Sequence, residues 1–259
     1  MNLEDVLKAY LNIPELSDFK NVLFVGPHPD DIEFGCGGLI SKLKEKNATI
    51  HFIIVTDGAA GSSDINVTAE EVKNTRYSET LDAGKYLNID TIDFLDLEDG
   101  GPFTCEDVIK KLTPYVLKYN PEIVFAPDFR LKTECHHDHL VVGEAVSNLL
   151  QIIGYKEALR RHGIDVNGIS YFPRNIFLGL YFTDDPNIYT EISEKNLNDK
   201  ITALKLHKSQ FMGPESELLI QYFMLKAMDD GKKCDKALAE SFKVLHPIQQ
   251  HVYSSGYIK

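Results

Sequence analysis

Residues 21–38, NVLFVGPHPDDIEFGCGG, place an apolar run directly before a polar turn and a glycine-rich segment. The run has the length of a buried strand, and the helical spacing of residues 38–44 predicts the helix that follows. Between the two stand His28, Asp30 and Asp31, at the carboxyl end of the predicted strand. Open α/β sheets keep their active sites at that end. The stretch therefore predicts both the fold class and the position of the site.

The alternation of strand and helix continues through the amino-terminal half of the chain. Short apolar runs recur at 51–56, 91–95 and 123–126, and runs of this kind are typical of strands buried on both faces. The segments 69–86 and 106–118 have helical spacing. Successive βαβ units with right-handed crossovers produce this order. The sequence therefore predicts an α/β domain with a mostly parallel sheet.

The carboxyl-terminal half is less regular. The turn Asp184-Asp185-Pro186-Asn187 separates two apolar runs, which are expected to pair as a hairpin or an edge pair of strands. No repeat or low-complexity linker divides the chain, so residues 1–259 are predicted to form a single domain with a carboxyl-terminal extension. The predicted elements are a helix at 140–153, a loop-rich segment at 154–173, strands at 175–182 and 188–192, and helices at 194–207 and 215–228.

Composition limits the classes of partner. The 259 residues are 43% hydrophobic, which is enough for a sizeable core. The net charge of −12 argues against nucleic acid, because phosphate binding needs a basic surface. Four scattered cysteines favour a reducing compartment, and no signal peptide or membrane-spanning run is recognisable. We therefore expect a cytoplasmic protein without nucleic-acid or membrane partners, and the sequence does not decide whether it forms a homo-oligomer.

A second group of potential metal ligands is the run CHHDH at 135–139, which follows the fourth predicted strand. If a helix begins near Asp138, His136 and His139 lie on one side of it at a three-residue offset. His137 then faces elsewhere. The run therefore offers imidazole ligands at the same edge of the sheet as the first turn.

Together the two segments contain the ligands of a catalytic zinc site. Such a site has three protein ligands, often imidazole nitrogens and a carboxylate oxygen, and leaves the fourth position open to water. His28, Asp31 and His139 would give that set. Asp30 and His136 would remain unbound beside it, as titratable groups available for hydrolysis. The sequence therefore predicts a metal-assisted hydrolase.

Structural explanations of the same residues also exist. Asp30 or Asp31 would cap the helix that begins after Phe34, and Asp138 would cap the later helix. Each cluster alone is compatible with these roles. Two clusters at the ends of neighbouring strands favour the metal site, because HHDH has no obvious role in folding.

A dinucleotide-binding module is the alternative from another class of function. Segment 35–38 opens a helix after a strand, and Asp57 ends the next strand about 20 residues later, where a ribose-binding acid would sit. The sixth position of the fingerprint is Ile40 instead of Gly or Ala, and the acidic residues of the loop would repel a pyrophosphate. Close packing of the helix on the sheet is the simpler role for these glycines.

The segments GPHPDDIEFGCGG at 26–38 and HHDHLVVGEAV at 136–146 resemble the PIG-L/LmbE family of zinc-dependent N-acetylglucosamine deacetylases. The resemblance implies a Rossmann-like three-layer α/β/α fold, a Zn²⁺ cofactor and removal of an acetyl group from an amino sugar. His137 departs from the family, which commonly has proline there. Further matching segments are TDG at 56–58, Arg76 with Glu79, EDG at 98–100, LKLHKSQF at 204–211 and AESF at 239–242.

The resemblance also implies catalytic roles beside the three ligands. Asp30 would accept a proton from the attacking water as general base. His136 would stabilise the oxyanion by donating a hydrogen bond or a proton. Asp138 would orient an imidazole from behind the ligand set.

The sequence identifies the residues that would bind the sugar less clearly. Arg76 matches family positions that face the sugar pocket, although an ion pair with Glu79 is the default for an i,i+3 spacing. Asp99 would bind sugar hydroxyls or form an Asp-Gly turn. His207 would be a second donor near the site or an ordinary histidine at a helix end.

The predicted function is hydrolysis of the N-acetyl group of a small molecule that contains N-acetylglucosamine. The sequence does not choose among a thiol-glycoside precursor, a chitobiose-like sugar and an aminosugar antibiotic. The alternative within enzymes is a zinc amidase acting on another amide, such as a thiol-glycoside S-conjugate.

Overall fold

The computed structural model describes residues 11–251. Its strands are β1 Asn21–Gly26, β2 Thr49–Thr56, β3 Thr91–Leu97, β4 Ile123–Pro127, β5 Phe177–Tyr181, β6 Ile188–Glu191 and β7 Ala239–Leu245. They form one seven-stranded sheet in the order β3-β2-β1-β4-β5-β7-β6. Strands β1 to β5 are parallel, and β7 is antiparallel to both of its neighbours.

Helices cover both faces of the sheet. Within residues 11–251 they are α1 Asp31–Glu45, α2 Ala69–Tyr86, α3 Cys105–Tyr119, α4 His137–Ile152, α5 Lys156–Arg161, α6 Glu194–Leu206 and α7 Pro214–Lys233. Helices α1, α2 and α6 share one apolar core with the sheet, and α3 and α4 share the other. The predicted three-layer α/β/α fold with a mostly parallel sheet is therefore confirmed. No described helix is both long enough and apolar enough to cross a membrane.

Strand β1 shows why its residues form a central strand. Leu23 and Val25 enter the core under α3 and α4, whereas Phe24 enters the opposite core. Successive side chains of a strand point to opposite faces, so a strand covered on both faces must be apolar throughout. Phe24 also stacks on Phe125 of β4, with ring centroids 4.9 Å apart.

Two predictions for the carboxyl-terminal half are wrong. Strands β5 and β6 do not pair with each other, because β7 lies between them. Phe242 and Val244 of β7 are fully buried, and this burial holds the strand inside the sheet. The extension therefore completes the sheet, and helix α5 lies within the segment expected to be a loop. The single domain over residues 1–259 remains a prediction, and its ends at 1–10 and 252–259 lie outside the described residues.

The glycine-rich segment 35–38 allows α1 to pack closely. A Cβ on Gly35 would lie 2.5 Å from the Tyr181 ring, and one on Gly38 would lie 2.9 Å from the Glu240 carboxylate. That carboxylate accepts hydrogen bonds from the backbone N–H groups of Gly38 and Leu39 at 3.1 and 2.7 Å. Protein side chains fill the space over this segment, which favours packing over a dinucleotide site.

The strand order positions the site. Strands β1 and β4 are neighbours at the centre of the sheet, and the chain continues from β1 to one side and from β4 to the other. A crevice forms at the carboxyl ends of two such strands. The turn before α1 and the start of α4 therefore meet there.

Candidate active site

The turn after β1 holds Asp30 in an unusual backbone conformation. Asp30 is the N-cap residue of α1 with φ 107° and ψ −29°, and its side chain makes no capping hydrogen bond. The side chain of Asp31 also points back, because its Oδ2 accepts the backbone N–H of His28 at 2.9 Å. The capping explanation is therefore wrong for both residues. Non-glycine residues rarely adopt such a φ, and strain of this kind concentrates at functional sites.

The buried guanidinium of Arg76 supports this turn. It donates to the carbonyl of Pro29 at 2.8 Å and to that of Gly58 at 3.0 Å. Its Nη2 also lies 3.4 Å from Oδ2 of Asp30. Arg76 is only 4% exposed, so it ties the turn after β1 to the loop after β2. This bracing role was not predicted from the sequence, because it depends on where the second loop folds.

The default ion pair of Arg76 with Glu79 is wrong. The Glu79 carboxylate instead accepts the backbone N–H and the hydroxyl of Ser209 at 2.8 and 2.6 Å. This pair ties α2 to the segment after α6. The Arg76 guanidinium contacts the turn after β1 instead of Glu79 on its own helix.

Two of the three predicted ligands converge on a carboxylate oxygen of the third. Oδ2 of Asp31 lies 3.0 Å from Nδ1 of His28 and 3.3 Å from Nε2 of His139. One potential ligand atom from each of the three side chains falls within 4.8 Å of the others. Two imidazoles and a carboxylate are a donor set that suits Zn²⁺. The residues present therefore fit the metal that the family resemblance implies.

Carboxylates stand behind both imidazoles. Nε2 of His28 lies 3.1 Å from Oδ2 of Asp138 and 3.2 Å from Oδ1 of Asp99. Nδ1 of His139 lies 3.2 Å from Oε2 of Glu134. A carboxylate that is hydrogen-bonded to a metal-binding histidine, as Asp138 is to His28, fixes the tautomer and the orientation of the imidazole.

Asp138 is not the N-cap of α4. The N-cap is His136, and α4 begins at His137. The Asp138 carboxylate instead accepts the backbone N–H of Gly100 at 3.0 Å and faces His28. A second group of possible ligands, His28 with His136 and Asp138, also lies within 4.8 Å. The two groups share His28, and the first group is the ligand set that the sequence predicts.

The charges in the cluster are unbalanced. Burial disfavours the imidazolium form of His28, but hydrogen bonds to Asp138, Asp31 and Asp99 raise its pKa to about 12. Burial, followed by the negative charge of Asp31, raises the pKa of the Asp30 carboxyl to about 7. Three carboxyl groups, those of Asp31, Asp99 and Asp138, thus lie within 3.2 Å of the buried His28 imidazole. A divalent cation would relieve their mutual repulsion.

The two remaining histidines of the run differ in position. His136 is exposed, and its ring centroid lies 4.7 Å from that of His28 and 5.2 Å from that of His139. His136 therefore lies on the solvent side of the three-ligand cluster formed by His28, Asp31 and His139. His137 turns away, and its Nε2 lies 3.2 Å from the carbonyl oxygen of Phe103.

The residues predicted to contact a sugar lie deeper than expected. His207 and Glu33 are fully buried and face each other at 3.3 Å, so the imidazole offers no face to a substrate. The side chain of Asp99 is 7% exposed, and its Oδ2 accepts the backbone N–H of Ala60 at 3.1 Å. Asp99 contacts His28, and Arg76 contacts the turn after β1. Their predicted contacts with a sugar stay predictions.

Phe182, directly after β5, is a site residue that sequence reasoning missed. Its ring stacks on the imidazole of His139, with centroids 6.0 Å apart and planes 13° apart. Its φ is 58°, a genuine outlier for a bulky residue. No motif marks this position, so only the folded chain reveals it.

Comparisons with known proteins agree with the fold and identify the family. Residues 23–150 match the PIG-L family, described as GlcNAc-PI de-N-acetylase. A diacetylchitobiose deacetylase of Thermococcus kodakarensis is 32% identical over 247 residues, which cover 93% of this chain and 89% of that relative. A probable N-acetyl-alpha-D-glucosaminyl L-malate deacetylase 2 of Bacillus cereus is 27% identical over 199 residues, covering 74% of this chain and 84% of the relative.

A solved structure shares nearly the whole fold. The N,N'-diacetylchitobiose deacetylase from Pyrococcus horikoshii, complexed with its inhibitor MPG, superposes with a TM-score of 0.86 at 28% sequence identity. The match covers 98% of this chain and 94% of that chain. The extent of the sequence match to the Thermococcus enzyme is enough to establish the relationship. The chain belongs to the PIG-L family.

Proposed function

We propose that this chain is a Zn²⁺-dependent hydrolase that removes the N-acetyl group from a small molecule containing N-acetylglucosamine. The observation that carries the proposal is the convergence of His28 and His139 on one oxygen of Asp31, with Asp30 and His136 nearby and outside that ligand set. The names of the Thermococcus and Bacillus relatives support an acetylated amino sugar as the substrate.

The reaction follows from the positions of the side chains. Zn²⁺ held by His28, Asp31 and His139 would polarise the acetamide carbonyl and lower the pKa of the attacking water. Asp30 accepts a proton from that water as it adds to the carbonyl carbon. His136 donates a hydrogen bond to the developing oxyanion from the solvent side. The carbon–nitrogen bond then breaks as the leaving amine takes up the proton that Asp30 accepted, and acetate and the free amino sugar leave.

Asp138→Asn tests whether the Asp138 carboxylate orients the predicted metal ligand His28. The substitution keeps the volume of the side chain but removes the charge that faces Nε2 of His28. Loss of such a partner typically lowers metal affinity or activity by about 10–100-fold, and we expect a loss in that range. Competition with a zinc chelator measures the affinity. An unchanged affinity, in protein with the wild-type unfolding temperature, would exclude this role for Asp138.

A substrate panel tests the proposed reaction. Acetate release is measured from N-acetylglucosaminides, simple acetamides, acetyl-lysine peptides and thiol-glycoside conjugates. We expect the N-acetylglucosaminides to have the highest kcat/KM, because hydrogen bonds to remote hydroxyls position the amide for attack. Faster turnover of acetyl-lysine peptides would contradict the amino-sugar assignment. Cleavage of thiol-glycoside conjugates without acetate release would favour the amidase alternative.

The variant Asp99→Ala does not separate sugar binding from metal binding. Asp99 faces His28 at 3.2 Å, so its loss would disturb the ligand as well as any sugar hydroxyl. The substrate panel, and not this variant, therefore tests whether the substrate is an amino sugar.

A further inference from the structure

Helix α7 has an apolar outer face, on the side opposite its contacts with the domain. Its inner side, with Phe223, Ala227 and Asp230, is buried. At about 100° per residue, the outer face covers an arc of about 160° of the helix. Monomeric proteins rarely expose a large contiguous apolar surface, and such surfaces mark interaction sites. Five large apolar side chains, each between 46% and 67% exposed, form the face: Leu218, Tyr222, Met224, Leu225 and Met228.

The charges at the two ends of the outer face are opposite. Glu217 precedes the face and Lys232 follows it, and both residues are exposed and lie within the same arc. Asp229 also follows the face, but its carboxylate pairs with Nζ of Lys233 on the same helix at 3.0 Å. The outer face therefore has an acidic amino end and a basic carboxyl end.

A face with this arrangement is complementary to a second copy of itself. When two α7 helices lie antiparallel, Glu217 of each copy comes opposite Lys232 of the other. The midpoint of this register lies between Met224 and Leu225, within the apolar face, so the apolar side chains of one copy cover those of the other. A twofold contact uses the same patch on both copies, and each pair of residues occurs in it twice.

A lipid surface fits the outer face less well than a second copy does. Helices that lie on membranes carry lysines and arginines along their polar side, and these residues attract anionic lipids. The outer face instead has Glu217 at one end, and the chain has a net charge of −12. The charges therefore favour a protein surface with the same two opposite ends.

The inner side of α7 connects this face with the candidate active site. The ring of Phe223 packs edge-on against Phe34, with centroids 4.7 Å apart, and Phe34 packs in the same way against Phe182 at 5.5 Å. Phe182 in turn stacks on His139. A second copy on the outer face would therefore hold in place the helix that supports this row of rings.

We propose that the outer face of α7 is the interface between two copies of this chain, arranged antiparallel about a twofold axis near Leu225. Burial of the apolar side chains drives the association, and the two pairs of Glu217 with Lys232 determine the direction of the helices. Stable interfaces bury about 800 Å² per copy, so neighbouring surface such as Met212, which is 72% exposed just before α7, would join the contact. The contact does not depend on the proposed reaction.

Light scattering after size-exclusion chromatography tests the interface by counting the chains in each particle. Between about 1 and 100 µM, we expect the wild type to assemble into an even number of chains. Leu225→Glu should halve that number, because it places two like charges beside the twofold axis. Leu81→Glu is the matched control, because Leu81 is 51% exposed on α2 and lies outside the α7 face. It should keep the wild-type number of chains.

Charge reversal tests the direction of the helices without changing an apolar side chain. Glu217→Lys and Lys232→Glu should each raise the Kd of association by at least about tenfold, because each variant places like charges opposite one another. An equimolar mixture of the two variants should associate about as tightly as the wild type. In the mixed pair, opposite charges face each other again at both ends of the contact.

Three results would overturn the interface. The first is a wild type that stays monomeric over this concentration range or assembles in odd numbers. The second is a Leu225→Glu variant that keeps the wild-type number of chains, and the third is a mixture of the charge variants that associates no better than either variant alone. If Leu225→Glu does not fold, the charge variants still decide the question, because they change only exposed side chains.

Discussion

Replacing His139 with alanine is expected to release the metal and abolish acetate release. His139 supplies the imidazole that α4 contributes to the cluster, 3.3 Å from Asp31. Without it, two ligands from one short turn remain, and the fall in metal affinity should exceed the ~10–100-fold caused by losing an outer partner. His28→Ala and Asp31→Ala should have the same effect. Metal content of the purified variants, by elemental analysis, checks the prediction.

His137→Ala is the matched control for this experiment. His137 lies two residues before His139 and has the same chemistry, but it faces the carbonyl of Phe103 instead of the cluster. It should keep wild-type metal content and activity. Full zinc occupancy in the His139 variant, or metal loss in the His137 variant, would show that the ligands are wrongly assigned.

Asp30→Asn is expected to separate metal binding from catalysis. The substitution preserves the shape of the side chain and its contact with Arg76 while removing its ability to accept a proton. Metal content should stay close to stoichiometric, and kcat should fall by the ~10²–10⁴ typical of a lost general base. Metal analysis and steady-state acetate release on the same preparation measure both effects.

Two results would contradict this role for Asp30. Loss of the metal would make Asp30 a ligand, and wild-type kcat would exclude it as the base. Asp82→Asn serves as control, because Asp82 is exposed on α2, six residues beyond Arg76. It should change neither metal content nor kcat.

The sequence predicted the ligand cluster because short-range rules determine most of it. An apolar strand followed by a turn and a helix positions His28 and Asp31, and the start of α4 positions His139. The parallel order of strands then brings the two segments to one edge of the sheet. Each of these steps depends on local pattern or on a general rule of α/β topology.

The features that were missed depend on contacts between distant segments. Strand β7 enters the sheet between β5 and β6 because its apolar residues are buried there, and the turn between β5 and β6 carries no sign of this. Arg76 braces the turn only because the loop at Gly58 folds beside it. The burial of His207 with Glu33 likewise requires α6 to pack on α1. Residue type and spacing alone do not encode these contacts.

Metal dependence of acetate release is the most direct test of the central claim. The wild-type protein is analysed for metal and assayed with an N-acetylglucosaminide as purified, after removal of the metal by a chelator, and after Zn²⁺ is restored. We expect about one Zn²⁺ per chain, as a site with three protein ligands implies, with activity lost on chelation and recovered on reconstitution. Full activity in metal-free protein, or failure of the chain to bind Zn²⁺, would contradict the proposed hydrolase.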